Sequence, residues 1–171
     1  GGATIVPDVL LTSPAAFMAT NASLALTAYD VLRRRGLVPE LGVREIVTLF
    51  RRMELTACCE ILLGAPTVVL DGSHNAPSAA RLAGILRSTF EGRRSVWLVS
   101  LSRDTEWDTI IRSFAGAGAD RIILTCYPSD RAVAPQTLAE RWHACSSAAA
   151  EIVEVPDAAF TRALQAAGPY G

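Results

Sequence analysis

Apolar residues along this chain follow two rhythms, and the change falls near residue 51. Ala3 to Leu11 reads as β-like, and Ser13-Pro14 is a helix start signal. From Ala15 to Arg35, Phe17, Leu24, Leu26, Tyr29, Val31 and Leu32 form the apolar positions of a helix that Gly36 ends. Gly42 precedes a second helix, with Val43, Ile46, Val47, Leu49 and Phe50 at helical spacing and Arg51-Arg52 at its close. Cys58 to Leu63 and Val68 to Leu70 are short apolar runs around Gly64-Ala65-Pro66, the pattern of a β-hairpin. Strands and helices then alternate. A helix from Pro77 reaches Phe90, Ser95 to Leu101 is a strand, and Glu106 to Phe114 is a helix. Gly116-Ala117-Gly118 turns into strand Arg121 to Thr125, and Pro135 starts a helix carrying Leu138, Trp142 and Cys145. Glu151 to Val155 reads as a strand, and Pro156-Asp157 starts a last helix ending near Ala167.

Such alternation means βαβ units with right-handed crossovers. The expected fold class is α/β: a Rossmann-like, mainly parallel sheet with one antiparallel hairpin strand, flanked by helices and preceded by a helical segment. The expected division is into residues 1–50 and residues 51–171.

Composition narrows the function classes. The chain has 171 residues, half of them hydrophobic and 19% charged, which suits a buried core and argues against global disorder. A net charge of −1 disfavours a nucleic-acid or anionic-membrane surface. All 16 basic residues are Arg, so no P-loop lysine or Schiff-base lysine lies in this polypeptide. Cys58, Cys59, Cys126 and Cys145 form no C-x-x-C pair and read as buried or semi-buried thiols; no metal site is expected, His143 with Cys145 included. No signal peptide opens the chain and no apolar run approaches the length of a membrane span, so the expected location is the cytoplasm, with no membrane partner.

The densest chemistry lies in Asp71-Gly72-Ser73-His74-Asn75, between the Val68–Leu70 strand and the helix opened by Pro77. Polar groups at the carboxyl end of a strand in an open α/β sheet occupy the usual ligand-binding position. Helix amides near Pro77 would add partial positive charge suited to phosphate or carboxylate. On the residues alone, Asn75 either meets a ligand or caps the helix, and Asp71 either binds or ties down the turn.

The run Asp71-Gly72-Ser73-His74-Asn75-Ala76-Pro77-Ser78-Ala79 resembles the D-G-A-H-N-P-x-S-A motif of folylpolyglutamate and dihydrofolate synthases, in the Mur ligase superfamily. Three further pieces follow in that family's order. Asn21-Ala22 is similar to the end of an H-Q-x-x-N-A helix, Arg52-Met53-Glu54 to G-R-[LM]-E, and Asp104-Thr105-Glu106-Trp107 to a D-K-D-W segment. The chain departs from these patterns at Phe17-Met18, Arg51, Thr105 and the displaced Pro77. It has no G-x-x-x-x-G-K-[ST], and the family's last strand is missing.

The resemblance implies an ATP-dependent amide ligase that joins a folate or pteroate carboxylate to glutamate through an acyl phosphate. It implies nucleotide contacts from Asn21, Arg52 and Asp71, catalytic roles for His74 and Asp71, and substrate contacts from Ser73, His74 and Asn75. ATP and Mg2+ would be held largely by an N-terminal P-loop domain of the same protein, itself expected to be a monomer. Residues 1–50 would then be the tail of the central ATPase domain, and residues 51–171 the C-terminal Rossmann-like domain. This chain alone is expected to be inactive. Bland readings stand beside these: Arg51-Arg52 suits a helix C-terminus without any ligand, Asp104 and Glu106 would cap the helix that follows them, and Trp97, Trp107 and Trp142 would pack rather than stack on a pterin. Two other readings of the whole are a different Mur-type amino-acid ligase and a non-catalytic binding or structural remnant.

Overall fold

The computed structural model describes residues 17–53, 57–62 and 64–169; the β-like segment expected at Ala3 to Leu11 and the start signal Ser13-Pro14 lie outside them. The chain forms two compact units, residues 1–60 and residues 61–171. The first unit holds α1 (Phe17–Arg34) and α2 (Val43–Arg52). α1 stops where the Gly36 signal places its end. Gly36 takes φ +69°, its N–H donates to the Arg33 carbonyl, and the Leu37 N–H donates to the Leu32 carbonyl. That pair of bonds satisfies carbonyls a helix end leaves open, and the left-handed backbone it needs suits glycine. The Tyr29 hydroxyl accepts from the Leu41 N–H at 2.6 Å, tying α1 to the approach of α2. α2 starts with the Gly42 N–H donating to the Glu45 carboxylate at 2.6 Å.

The second unit contains β1 (Glu60–Leu62, which begins at the boundary), β2 (Val68–Leu70), α3 (Ala76–Thr89), β3 (Val96–Val99), α4 (Trp107–Ala115), β4 (Arg121–Leu124), α5 (Pro135–Cys145), β5 (Ala149–Ile152) and α6 (Pro156–Ala167). β3, β4 and β5 form a parallel sheet in that order, with Val96 beside Arg121 and Arg121 beside Ala149. β1 and β2 pair in a two-stranded sheet of their own. The short turn between them permits only antiparallel pairing, because a parallel return needs a dozen or more residues. The α/β class read from the alternation is therefore the observed one, with the hairpin set apart from the parallel strands.

β4 is the buried centre: Ile122, Ile123 and Leu124 have no exposed surface. A strand with no solvent face must be covered on both sides. α3, α4 and α5 pack in a row, while α6 packs on β3 and β4 without touching them, so α6 covers the opposite face. Trp97 projects toward α4 and meets Phe114 edge-on, ring centroids 4.8 Å apart. By strand alternation Leu98 points the other way.

Between β2 and β3 the two sheets leave a cavity of about 600 Å³, lined by both strands, by Leu82 and Leu86 of α3 and by Ala163 and Leu164 of α6. Among the described residues, no strand pairs with this side of β3.

Two ion clusters tie helices to their neighbours. Asp108 of α4 accepts from Arg141 of α5 and from Arg112, and Arg141, the stronger influence, holds its carboxyl below the usual carboxylate range. Glu151 of β5 is likewise held low by Arg162 of α6, with Arg121 of β4 adding to the effect.

β5 differs from its sequence reading, which placed it at Glu151 to Val155. Pairing starts at Ala149, because the parallel register on Arg121–Leu124 spans Ala149–Ile152. Past Ile152 the chain stays beside the end of β4, with the Val153 N–H donating to the Leu124 carbonyl at 3.0 Å and the Thr125 hydroxyl donating to the Glu154 carbonyl at 3.2 Å. The thiols also differ at one position: Cys59 is buried and Cys58 and Cys126 are half-buried, but Cys145 is exposed in the last turn of α5. Trp142 is fully buried, and its indole N–H donates to the Ala148 carbonyl at 2.9 Å, fixing the α5–β5 turn. Replacing it tests that tether. Trp142→Phe should cost about 1–3 kcal/mol by leaving the Ala148 carbonyl unsatisfied, and Trp142→Ala about 3–5 kcal/mol, measured by denaturant unfolding.

Candidate functional site

In open α/β folds the ligand crevice lies at the carboxyl ends of the strands, where the connections change direction. Here that place is the end of β2 and β3. The loop Asp71 to Asn75 leaves β2, and the loop Ser100 to Glu106 leaves β3. Across the 30 residues that separate them, the Ala76 N–H donates to the Glu106 carboxylate at 3.4 Å, joining the two loops.

Within the first loop, Asp71 organises the backbone. Its Oδ1 accepts from the Ser73 N–H at 2.8 Å and also from the Ser73 hydroxyl. Asn75 caps α3: its side-chain oxygen accepts from the Ser78 N–H at 2.9 Å, and the Ser78 hydroxyl lies 3.3 Å from the Asn75 N–H. Pro77 fills the first turn, where a missing N–H costs nothing. Asp71 and Ser73 are half-buried, whereas His74 and Asn75 are exposed.

His74 carries the loop's outward-facing chemistry. Its Nδ1 stands 3.0 Å from the Gly72 carbonyl. A carbonyl only accepts, so Nδ1 holds the proton, and in the neutral ring Nε2 keeps its lone pair. The ring thus presents an acceptor, oriented by its own loop, that can take a hydrogen bond or a proton from an amine or hydroxyl.

The second loop is stitched to the loop after β4. Ser102 bridges Ala132, the Arg103 N–H donates to the Arg131 carbonyl at 2.7 Å, and the Val133 N–H donates to the Leu101 carbonyl at 2.9 Å. Asp104 is paired with Arg131 at 2.5 Å. Neither Asp104 nor Glu106 caps α4, in contrast to the sequence reading: α4 has no side-chain cap, because both carboxylates face partners outside their own helix. Arg131 and the Glu106 contact were not legible in sequence, since each pairing spans about thirty residues with no local pattern to announce it.

Asn21 lies exposed on α1 and Arg52 exposed at the end of α2, both in the first unit. Ser73, His74 and Asn75 stand together with Asp71 in the second. Among the described residues, no three His, Cys, Asp or Glu side chains gather as a metal site, and no helix is long and apolar enough to cross a membrane.

These features define an α/β domain with a polar loop at its strand ends. The family model described as Mur ligase, glutamate ligase domain, matches residues 51–171, and the chain belongs to that family. It is 27% identical over 135 residues to the dihydrofolate synthase/folylpolyglutamate synthase of Mycobacterium tuberculosis, covering 79% of this chain and 28% of that protein. The solved structure of Mycobacterium tuberculosis folylpolyglutamate synthase complexed with ADP and AMPPCP matches with a TM-score of 0.82 at 26% identity, over 93% of this chain and 35% of that one. The bifunctional folylpolyglutamate synthase/dihydrofolate synthase of Yersinia pestis with Mn, AMPPNP and L-glutamate bound shares the fold, with a TM-score of 0.72 at 19% identity, over 94% of this chain and 36% of that one. The chain therefore spans about a third of the length of these relatives.

The capping role of Asn75 has a direct test. Asn75→Ala should lower stability by about 1 kcal/mol in denaturant unfolding, and Asn75→Asp, which keeps an acceptor, should restore most of it.

Proposed function

We propose that this chain is the C-terminal, glutamate-binding portion of an ATP-dependent folylpolyglutamate/dihydrofolate synthase. The observation that carries this reading is the family match over residues 51–171 together with the Asp71–Asn75 loop exposed at the carboxyl end of β2. The complete reaction would join a folate or pteroate carboxylate to the amino group of glutamate through an acyl phosphate, with ATP supplying the activation. The ligands named for the relatives, adenine nucleotides and L-glutamate, are the chemistry assigned to this site.

Within that reaction His74 has the role its geometry suits. Nε2 accepts a hydrogen bond from the incoming ammonium group and orients the nitrogen, or takes its proton as the bond forms. Asp71 holds the loop in shape through Ser73 and lends negative charge at its base. Ser73 and Asn75 border the substrate. Asn21 and Arg52 would meet the nucleotide's base and phosphates. Arg52 stands beside Arg51 in the last turn of α2, and a guanidinium there suits a polyphosphate. The described residues do not supply a donor set for Mg2+. We assign the ion to an N-terminal P-loop domain and derive no step through it.

We place residues 1–50 with the central ATPase domain and residues 51–171 in the glutamate ligase domain, in a cytoplasmic, monomeric full-length protein. Leu24, Leu37 and Leu49 of the first unit are all more than half exposed, which supports a further domain covering them. The open side of β3 supports a missing strand. α4 and α5 carry the chain from β3 to β5 on one face, so a right-handed connection through α6 on the other face runs back past β3. That path ends in the cavity beside β2, where one more parallel strand would join the two sheets.

In a full-length protein containing this chain, His74→Ala should reduce ligation about a hundred-fold or more with little change in ADP binding. Phosphate release from this chain alone with folate, glutamate and MgATP should stay at background; clear turnover would overturn the domain assignment. Appending a β-branched strand after Gly171 should raise the melting temperature by about 5 °C, and a proline-interrupted version should not.

A further inference from the structure

The cavity between β2 and β3 has two unlike ends. Ala117 and Gly118, which lead into β4, and Ala167, the last residue of α6, line the end where the strands start. Asp71, Ser73 and Ser100 line the end where β2 and β3 finish. Between these ends both faces are apolar, with Leu82 and Leu86 on the α3 side and Ala163 and Leu164 on the α6 side.

The starting end is basic. Arg87, in the last turn of α3, and Arg93 and Arg94, in the turn before β3, line it against one carboxylate, Glu91. Among the described residues none of the three guanidiniums is paired with a carboxylate. Arg87 suits a helix carboxyl end without any ligand. Arg93 and Arg94 lie beyond that helix, and a helix dipole fades past its last turn, so it gives them no role. The Arg93 guanidinium carbon stands 5.8 Å from the centre of the Phe90 ring, itself part of the cavity wall, which keeps that charge at the rim. Asp120, at the same end of the sheet, is already engaged by the Ser95 N–H at 2.7 Å.

Such charge solves a problem of register. A strand covered on both faces is apolar throughout, so a slip of one residue changes little in its burial. A carboxylate at its first residue breaks that degeneracy, because one position further in it would leave the guanidiniums for apolar walls. It also fixes direction. A strand entering the opposite way would bring the same carboxylate beside Asp71 at the far end.

We propose that the cavity takes a β-strand parallel to β3 whose amino end carries a carboxylate side chain, and that Arg93 and Arg94, assisted by Arg87, bind that carboxylate and set the strand's register. Planar guanidiniums suit the task, since each can grip both carboxylate oxygens. The proposal rests on the missing-strand reading of the proposed function and adds to it the chemistry by which the strand is recognised.

The test compares three versions of the 171-residue chain, extended after Gly171 by the same Val- and Ile-rich strand headed by Asp-Asp, Asn-Asn or Lys-Lys. At low salt the Asp-headed chain should melt about 3 °C above the Asn-headed one, the shift set by one or two exposed ion pairs. The Lys-headed chain should melt below both. The gap should shrink in about 1 M sodium chloride, where screening acts within about 3 Å. Replacing Arg93 and Arg94 together by Ala should abolish the ranking while leaving the Asn-headed chain unchanged. Backbone amides of β3 should gain protection from hydrogen exchange in the Asp-headed chain. Three heads that raise the melting temperature equally overturn the proposal and leave the missing-strand reading standing. A ranking that survives the loss of Arg93 and Arg94, or appears without protection of β3, overturns it too. If no extension raises the melting temperature, the proposal and the missing-strand reading fall together.

Discussion

Everything in the second unit follows from the complete burial of β4. Ile122, Ile123 and Leu124 have no exposed surface, so the sheet needs a helical layer on each face. Leu138 and Trp142 of α5 supply one layer, with Ile110, Ile111 and Phe114 of α4 beside them, and Ala159 lies buried in α6. Parallel pairing places the carboxyl ends of β3 and β4 at the same edge, where their loops meet. Because those ends adjoin, Arg131 reaches Asp104 and the loop after β3 is tied to the loop after β4. Glu106 then extends that order to the start of α3. Burial in the core thus fixes groups at the rim that have no core contacts of their own.

The rim is polar but largely self-satisfied. Asp71 is engaged by Ser73, Asn75 by Ser78, Asp104 by Arg131 and Glu106 by Ala76. His74 is the exception, since its one described bond is to its own loop through Nδ1 and the other nitrogen faces out. A loop built this way can orient an incoming group. In the proposed reaction the carboxylate is activated by ATP, a step assigned to another domain because this lysine-free chain has no P-loop.

Elements marked by local chemistry were readable in the sequence. Gly36 and Gly42 bracket the α1–α2 connection, Pro77, Pro135 and Pro156 open three helices, and Asn75 sits three residues before Ser78 where a cap belongs. β5 was displaced because Ala149 and Ala150 look unlike a strand, while the register of β4 alone selects them. The hairpin itself was readable around Gly64-Ala65-Pro66, but its separation from the parallel sheet was hidden, since hydrophobic runs record that strands exist and not which edges pair. In the site, Asp71, Ser73, His74 and Asn75 form one continuous motif and were visible. Arg131 and the role of Glu106 depend on loops meeting in space, and no periodicity encodes such a meeting.

Among the described residues no strand pairs with one side of β3, and that side lines the cavity beside β2. Natural sheet edges are guarded by charge, proline or a bulge, because a free row of backbone donors and acceptors templates further strands. Val96, Trp97, Leu98 and Val99 provide none of these guards, and Leu98 is partly open to solvent. A core this well packed keeps the fold together, but it does not protect that edge. What screens it is the wall of the cavity, since β2, Leu82 and Leu86 of α3 and Leu164 of α6 stand around the same strand, so the edge is only as sheltered as that wall is closed.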